Sequence, residues 1–217
     1  MTLSVNTLRE RSARQAFFYD AWTVLAFNGI DGDYVEFGCY GGMTFQLSYD
    51  EIRRYEHPAH LWAFDSFQGL PPSTTQDTHP QWSQGLLRME QQEFHDRCAF
   101  NGIPPMAYTV VPGFYSETLP VTVLPQNIAL AYIDCDLYSS TRDALEWLGP
   151  RLKHGMIIAF DDYWCWSATE ASGEKRAFAH FQELYTRLGW TFSAYHSFGW
   201  HGQSFVVELV PAGYKQW

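Results

Sequence analysis

The chain alternates short apolar segments with segments of helical spacing, and this alternation most constrains how it can fold. Most of the apolar runs precede a stretch such as "SSTRDALEWLGPRL" or "GEKRAFAHFQELYTRLG". This pattern is typical of a parallel sheet that is covered by helices on both faces. The runs, each bounded by turn residues, span residues 33–38, 60–65, 107–113, 128–134 and 155–162.

The two ends of the chain complete the predicted domain. Apolar residues recur at helical spacing from about residue 8 to residue 27, where "NGIDGD" ends the pattern. Near the C-terminus, "WTFSAYHSF" and "QSFVVELV" are separated only by "GWHG", so an antiparallel hairpin is expected. The sequence therefore predicts one α/β domain over residues 1–217, with a helical lid or dimer segment (1–29) and a core (30–217). Five parallel strands and the hairpin give a mostly parallel seven-stranded sheet.

Charge and composition limit the class of partner. The chain has 14 Lys and Arg against 24 Asp and Glu, which disfavours nucleic acid and anionic membranes, so a small-molecule substrate is expected. Its four cysteines form no CxxC pair, and the N-terminal residues contain no apolar targeting stretch, so a cytoplasmic location is expected. The many aromatic residues of the N-terminal helix leave a homodimer or higher homo-oligomer open.

Acidic residues follow several of the predicted strands. Ligands of open parallel sheets bind beyond the carboxyl ends of the strands. A single acid at such a position is more often a helix cap or a turn former. Acids at four strand ends that meet at one edge instead indicate a functional site. These acids are Glu36, Asp65, Asp134, Asp136, Asp161 and Asp162.

The stretch "VEFGCYGGMTFQL" (35–47) combines an acid with glycines. Gly38 and Gly42 let backbone N–H groups approach a ligand closely, although they could also simply form a tight turn. The spacing is not GxGxxG, which disfavours an NAD-linked oxidoreductase. Glu36 suits an ammonium group better than a pyrophosphate, and Asp65 is placed to accept hydrogen bonds from a ribose diol. An adenosine that carries an amino-acid tail, as in S-adenosylmethionine, satisfies both.

A second constellation consists of "YIDCDLYSST" and "IIAFDDYW". Mg²⁺ prefers several oxygen ligands, which carboxylates on two neighbouring strand ends can supply. We expect Asp134, Asp161 and Asp162 to be these ligands. For Asp136, the role of metal ligand and that of cap for the following helix are equally compatible with the sequence.

Five motifs in order resemble the macrocin O-methyltransferase family (TylF- and MycF-like). They are "YVEFGCYGG", "FDSFQGLP", "GFYSETLP", "YIDCDLYSST" and "FDDY" followed by "GEKRAF", and they cover roughly residues 30–190. Members depend on S-adenosylmethionine and Mg²⁺ and methylate hydroxyls of sugars on macrolides and other natural products. The resemblance implies a Rossmann-like class I methyltransferase fold and the same type of reaction here.

The resemblance also implies roles for individual residues. Asp134 would be the general base and, with Asp161 and Asp162, would hold Mg²⁺. Catechol-type relatives use a lysine base three residues after the first aspartate, a position that is Leu137 here. The residues that would contact S-adenosylmethionine are Glu36, Gly38 and Gly42 at the methionine end, Asp65 and Ser66 at the ribose, Gly113, Phe114 and Ser116 near the adenine, and Asp134.

Two other classes of function remain open. "DCD" could be the metal motif of a sugar-nucleotide glycosyltransferase, which would leave Glu36 and the Asp161–Asp162 pair without a role. A non-catalytic binding module on a methyltransferase fold would require that the metal acids bind no ion.

Aromatic residues and histidines add little to the sequence-based prediction. Trp164 and Trp166 could stack on an acceptor or pack beneath a loop. The histidines show no HxxxH or HExxH spacing, so no zinc site is predicted from sequence. His196 and His201, in the hairpin, could supply a base. The polar stretch 69–85 is either a lid or disordered, and Trp82 favours a lid.

Overall fold

The computed structural model describes residues 5–77, 79–166, 168, 170–171 and 173–209. The helices of eleven or more residues are α1 (Val5–Phe27), α2 (Met43–Arg54), α5 (Tyr138–Leu148) and α6 (Gly173–Thr186). The shorter ones are α3 (Gln91–Phe100) and α4 (Tyr115–Thr118). The strands are β1 (Asp33–Phe37), β2 (Leu61–Asp65), β3 (Tyr108–Pro112), β4 (Ile128–Ile133), β5 (Ile157–Phe160), β6 (Trp190–Phe198) and β7 (Gly202–Leu209).

The strands form one seven-stranded sheet in the order β3-β2-β1-β4-β5-β7-β6. Strands β1 to β5 pair in parallel, and β7 pairs antiparallel with both β5 and β6. All five predicted parallel strands and the closing hairpin are confirmed. Position 210, the last residue of the predicted hairpin, lies outside the described residues.

The alternation of side chains along each strand gives the sheet two apolar faces. In β1, Tyr34 packs on the face that is covered by α1, α2 and α3, while Val35 and Phe37 pack on the face that is covered by α5 and α6. Burial of a large apolar side chain contributes about 1.5–3 kcal/mol, so both layers hold the sheet strongly. The prediction of helices on both faces is confirmed.

Helix α1 belongs to the core. Phe17, Phe18 and Trp22 are fully buried, and Phe17 stacks on Phe198 of β6 with a centroid distance of 4.5 Å. On the outer side of the same helix, Phe27 is 88% exposed. A lid or dimer role for residues 1–29 stays a prediction, and residues 1–4 lie outside the described part of the chain. None of the described helices is long and apolar enough to span a membrane.

Candidate active site

A cavity of about 550 Å³ opens at the carboxyl ends of the parallel strands, within the usual size range of small-molecule sites. The chain leaves β1 in one direction for β2 and β3 and returns on the other side to β4, so the crevice lies at the point where the strand order reverses. The structure brings many of the predicted site residues together there. Those that line the cavity are Gly38, Asp65, Ser66, Phe114, Ser116, Asp134 and Asp162, together with Asp136.

Gly38 stands where the ends of β1 and β4 approach each other most closely. Its φ is +90°, and a Cβ atom at this position would overlap with the carbonyl oxygen of Asp134. Glycine is therefore required by the packing of the two strand ends. The same bare backbone lines the cavity.

Asp65 is the last residue of β2, and its carboxylate is held by backbone N–H groups from the turn after β1 and the turn after β2. Oδ2 accepts a hydrogen bond from the Cys39 N–H at 2.7 Å, and Oδ1 accepts one from the Phe67 N–H at 2.7 Å. The pKa of Asp65 is raised above its usual value, because the effect of burial exceeds the opposing effect of these two hydrogen bonds. Since each carboxylate oxygen has a further lone pair, Asp65 can accept another hydrogen bond from a ligand in the cavity.

Three residues that sequence reasoning assigned to the cofactor do not line the cavity: Glu36, Gly42 and Gly113. Glu36 is fully buried on the sheet face under α1 and α2, where its carboxylate accepts hydrogen bonds from Tyr34 and Thr44. Gly42 precedes α2 in a left-handed conformation, and the Gly113 N–H donates to the Asp65 carbonyl at 2.9 Å. Cofactor contacts of these three residues stay predictions.

The buried carboxyl group of Glu36 leads to a pH-dependent prediction. Burial raises its pKa from 4.5 to about 8, so the folded protein retains a proton that the unfolded chain releases between these values. The contribution of Glu36 to the free energy of unfolding therefore falls as pH rises through this window, by about 1.4 kcal/mol per pH unit. Glu36→Gln removes the ionisation, so the variant should gain stability relative to the wild type from pH 5 to pH 8 in urea unfolding. A difference that does not change with pH would contradict this.

The acids after β4 and β5 form a compact cluster. One carboxylate oxygen each from Asp134, Asp161 and Asp162 can be chosen so that all three lie within 4.8 Å of one another. Burial, followed by the charges of Asp161, Asp162 and Asp136, raises the pKa of Asp134 well above its usual value. A divalent cation would relieve this repulsion, and an all-carboxylate donor set is the type that suits Mg²⁺. The residues present therefore fit the predicted metal.

Asp136 does not cap helix α5. It has a φ of +60° and lines the cavity, and burial and the charge of Asp162 raise its pKa, whereas α5 starts after Leu137. The acid at the start of α5 is Asp77, which accepts hydrogen bonds from the Ser139 N–H at 3.0 Å and its hydroxyl at 2.9 Å. Sequence reasoning did not single out Asp77, because it lies 62 residues from its partner.

Asp161 is held by a buried arginine from helix α1. The Arg14 guanidinium donates from Nε to Oδ1 at 2.8 Å and from Nη2 to Oδ2 at 2.6 Å, and the Tyr132 hydroxyl also donates to Oδ1. The Arg14 side chain is only 8% exposed. Arg14 and Tyr132 thus occupy both lone pairs of Oδ1 and one of Oδ2, which leaves one lone pair of Oδ2 for another cation.

Glu174 ties the two acidic loops together. Oε1 accepts the Cys135 N–H at 3.0 Å and Oε2 accepts the Asp162 N–H at 2.8 Å, and the side chain is fully buried. The carboxylate therefore sets the spacing between the ends of β4 and β5. It occurs in the "GEKRAF" motif, but sequence reasoning gave it no role.

The loop between β2 and α3 forms one wall of the cavity. Two backbone hydrogen bonds close its base, from Leu70 N–H to the Leu86 carbonyl and from Gly85 N–H to the Leu70 carbonyl, each 2.9 Å. Trp82 lines the cavity and stacks on His79 at a centroid distance of 5.2 Å. Among the described residues, which exclude position 78, its indole N–H has no hydrogen-bond partner.

Trp164 and Trp166 are not part of the cavity lining. Both rings pack against the Lys175 ammonium, whose Nζ lies 3.9 Å and 4.3 Å from their centroids. Trp164 is 38% exposed and Trp166 is 43% exposed, so neither ring is covered by a loop, and the contact with Lys175 occupies one face of each ring.

Comparisons with known proteins agree with this geometry. The model of the macrocin O-methyltransferase family matches residues 11–195. A Streptomyces olivaceus protein named 8-demethyl-8-(2,3-dimethoxy-alpha-L-rhamnosyl)-tetracenomycin-C 4'-O-methyltransferase is 32% identical over 67% of this chain and 58% of its own length. Mycinamicin III 3''-O-methyltransferase from Micromonospora griseorubida is 28% identical over 69% of this chain and 62% of its own length. The matches thus span less than two thirds of these curated relatives.

Solved structures support the fold. The O-methyltransferase NovP aligns with a TM-score of 0.72 at 21% identity, over 89% of this chain and 79% of its own. The calicheamicin methyltransferase CalS11 aligns with a TM-score of 0.69 at 23% identity, over 88% and 77% of the two chains. The prediction of a class I methyltransferase fold is confirmed.

Proposed function

Because the chain belongs to the macrocin O-methyltransferase family, we propose that it transfers a methyl group from S-adenosylmethionine to a hydroxyl of a sugar or another natural-product scaffold, with the help of Mg²⁺. The observation that carries this proposal is the position of two kinds of acid around one cavity. Asp65 follows β2 on one side, and Asp134, Asp136 and Asp162 follow β4 and β5 on the other. A nucleoside site and an oxygen-ligand cation site would therefore adjoin each other.

The cofactor end of the proposal rests on residues that line the cavity. Asp65 would accept hydrogen bonds from the ribose hydroxyls, with Ser66 beside it, and Phe114 and Ser116 would flank the adenine. Gly38 would let the methionine part approach the backbone. S-adenosylmethionine supplies a methyl group on a sulfonium, which leaves as a neutral thioether.

The other three residues assigned to the cofactor would support the cavity lining without being part of it. They are Glu36, Gly42 and Gly113. Glu36 fixes the turn between β1 and α2 through its hydrogen bond from Thr44 at 2.7 Å, and Gly113 holds the end of β3 against Asp65. Their proposed contribution is thus to keep the cofactor-facing backbone in place.

The acceptor end rests on the acidic cluster. Asp134, Asp161 and Asp162 would hold Mg²⁺, which when bound lowers the pKa of an acceptor hydroxyl. Asp134 would take the hydroxyl proton on a carboxylate oxygen while the acceptor oxygen forms its bond to the methyl carbon. Leu137 leaves no lysine base at the position that catechol-type relatives use.

The substrate class comes from the family and its named members. Relatives are named for methylation of a rhamnosyl tetracenomycin and of mycinamicin III. We propose a glycosylated natural product as the acceptor here, and S-adenosylmethionine and Mg²⁺ as the cofactors.

The cysteines are free thiols, which supports a reducing, cytoplasmic compartment. A homodimer or higher homo-oligomer stays part of the proposal.

Calorimetry of the purified chain tests the cofactor assignment. We expect S-adenosylmethionine and S-adenosylhomocysteine to bind at micromolar concentrations without an acceptor, while UDP-glucose does not bind. Metal-dependent binding of UDP-glucose alone would contradict the proposal and favour the glycosyltransferase interpretation of "DCD".

Asp65→Asn should weaken S-adenosylhomocysteine binding by roughly 10-fold to 100-fold, because the amide replaces one acceptor oxygen by a donor beside two backbone N–H groups. Isothermal titration measures the change. Asp96→Asn, which alters an exposed acid on α3 by the same chemistry, is the matched control and should bind like the wild type. Equal affinities of the Asp65 variant and the control would remove Asp65 from the site.

A further inference from the structure

A second group of metal-ligating side chains lies beside the oxygen cluster and shares only Asp162 with it. Cys165 Sγ is 3.1 Å from Asp162 Oδ1, and His201 Nδ1 is 3.5 Å from the same oxygen. The potential ligand atoms of all three residues lie within 4.8 Å of one another. The histidines show no zinc-binding spacing in the sequence, because this group joins a strand end to a distant hairpin turn.

Main-chain hydrogen bonds hold the three residues in place. The Cys165 N–H donates to the Asp162 carbonyl at 2.9 Å, which makes a tight turn after β5. The Trp164 N–H donates to the His201 carbonyl at 3.0 Å, which joins this turn to the β6–β7 hairpin. His201 is 8% exposed, so its ring is also fixed by packing.

The donor set differs from that of the oxygen cluster in its chemistry. One thiol, one imidazole and one carboxylate are ligands that Zn²⁺ and other borderline-soft cations prefer, whereas Mg²⁺ prefers oxygen alone. A coordinated cation of this kind displaces a thiol proton.

We propose that Asp162, Cys165 and His201 bind Zn²⁺ with water in the fourth position. On binding, the thiol proton passes to solvent. The imidazole proton also moves from Nδ1 to Nε2. Nδ1 exchanges its hydrogen bond to the Asp161 carbonyl for the bond to zinc. Nε2 gives up the hydrogen bond that it accepts from Arg14 Nη2 at 3.3 Å and donates instead towards Glu10 Oε2, which lies 3.6 Å away. A carboxylate that faces the outer nitrogen of a metal-bound histidine is a common supporting contact.

Zinc at this position has a consequence for the neighbouring cluster. Asp162 belongs to both groups, so Zn²⁺ would draw the negative charge of Asp162 away from a cation held by Asp134 and Asp161, and the two cations would repel each other. Zinc would then inhibit Mg²⁺-dependent methyl transfer, a consequence that rests on the proposed function. The zinc site itself does not depend on that function.

Cobalt titration of the full chain tests the site without cofactor or acceptor. Saturating Co²⁺ should produce a near-ultraviolet thiolate-to-cobalt charge-transfer band, which Zn²⁺ abolishes by displacement. Mg²⁺ should weaken Co²⁺ binding through the shared Asp162 but should not abolish the band, because it does not bind the thiolate. Cys165→Ser should lose the band, and His201→Gln should weaken cobalt affinity by at least about 10-fold. Cys98→Ser, which removes a different buried thiol, is the control and should keep the band.

Alkylation mapping gives a second measurement on the unmutated protein. Over a reaction time chosen so that Cys165 of the metal-free protein is largely alkylated by iodoacetamide, Zn²⁺ should slow its alkylation at least about 10-fold, and Mg²⁺ should not. The proposal is wrong if the wild type shows no charge-transfer band, if the Cys165 variant retains it, or if zinc leaves alkylation of Cys165 unchanged. None of these outcomes bears on S-adenosylmethionine binding, which is measured separately.

Discussion

Replacement of Asp134 by asparagine is expected to reduce methyl transfer by about 10³-fold, which is the scale of a lost general base. The amide has nearly the same shape as the carboxylate, but it cannot take the acceptor proton and is a weaker ligand for a hard cation. Because Asp65 and the turn after β1 are unchanged, S-adenosylhomocysteine affinity should stay within about threefold of the wild type. Asp134→Asn therefore separates chemistry from cofactor binding.

The measurement combines two readouts. Transfer of an isotope-labelled methyl group to mycinamicin III, and to the rhamnosyl tetracenomycin for which a relative is named, reports turnover. Electron paramagnetic resonance of Mn²⁺, a probe for Mg²⁺, reports metal affinity, which should fall more than about 10-fold. Asp96→Asn removes the same charge from an exposed position and should change neither quantity. Full turnover by the Asp134 variant would refute its proposed role.

The sheet could be predicted from the sequence because its strands are local features. Buried parallel strands are short apolar runs between turn residues, and the two-strand tail is too closely spaced for a crossover. The observed bounds of β4, Ile128–Ile133, lie within the predicted run 128–134. Convergence of the strand-end acids also follows from parallel topology, since the carboxyl ends of such strands share one edge.

The face of the sheet to which each side chain points was harder to predict from the sequence. In β1, Glu36 points to the opposite face from Val35 and Phe37, a consequence of the two-residue period of strands. The sequence does not say which face lies beneath which helices. It therefore could not show that Glu36 contacts Thr44 of α2 and lies outside the cavity lining.

Contacts between residues that are far apart in the sequence could not be predicted, because no local sequence pattern marks them. Arg14 and Asp161 are 147 residues apart, and the Glu174 carboxylate meets the Cys135 N–H across 39 residues. A charged residue in a helix usually lies on a solvated face, so neither position stood out. His201 was one of two candidate bases in the hairpin, and only the fold brings it beside Asp162 and Cys165.

Replacement of Arg14 by methionine is expected to lower the free energy of unfolding by about 3–5 kcal/mol, the usual result of breaking a buried ion pair on one side. Methionine keeps an apolar stem of similar length, but it leaves the Asp161 carboxylate without its two guanidinium hydrogen bonds. Urea unfolding of the metal-free protein measures the loss. Arg9→Met, which changes an exposed arginine on the same helix, should stay within about 0.5 kcal/mol of the wild type.

A double variant separates the charge of Asp161 from the packing of Arg14. Asp161→Asn removes the unpaired charge, so Arg14→Met with Asp161→Asn should be more stable than Arg14→Met alone. A loss of less than about 1 kcal/mol in Arg14→Met would show that the pair is unimportant for stability.

Mg²⁺ connects this ion pair to the proposed site. Arg14 and Tyr132 leave only one lone pair of Asp161 Oδ2 for a metal, so the arginine and a bound cation neutralise the same carboxylate from different sides. When Arg14 is absent, a divalent cation becomes the main counter-charge of Asp161. Saturating Mg²⁺ should therefore raise the stability of Arg14→Met by more than it raises that of the wild type, because only the variant has an uncompensated charge to relieve. Equal gains in the two proteins would mean that Asp161 is not a ligand of the cation.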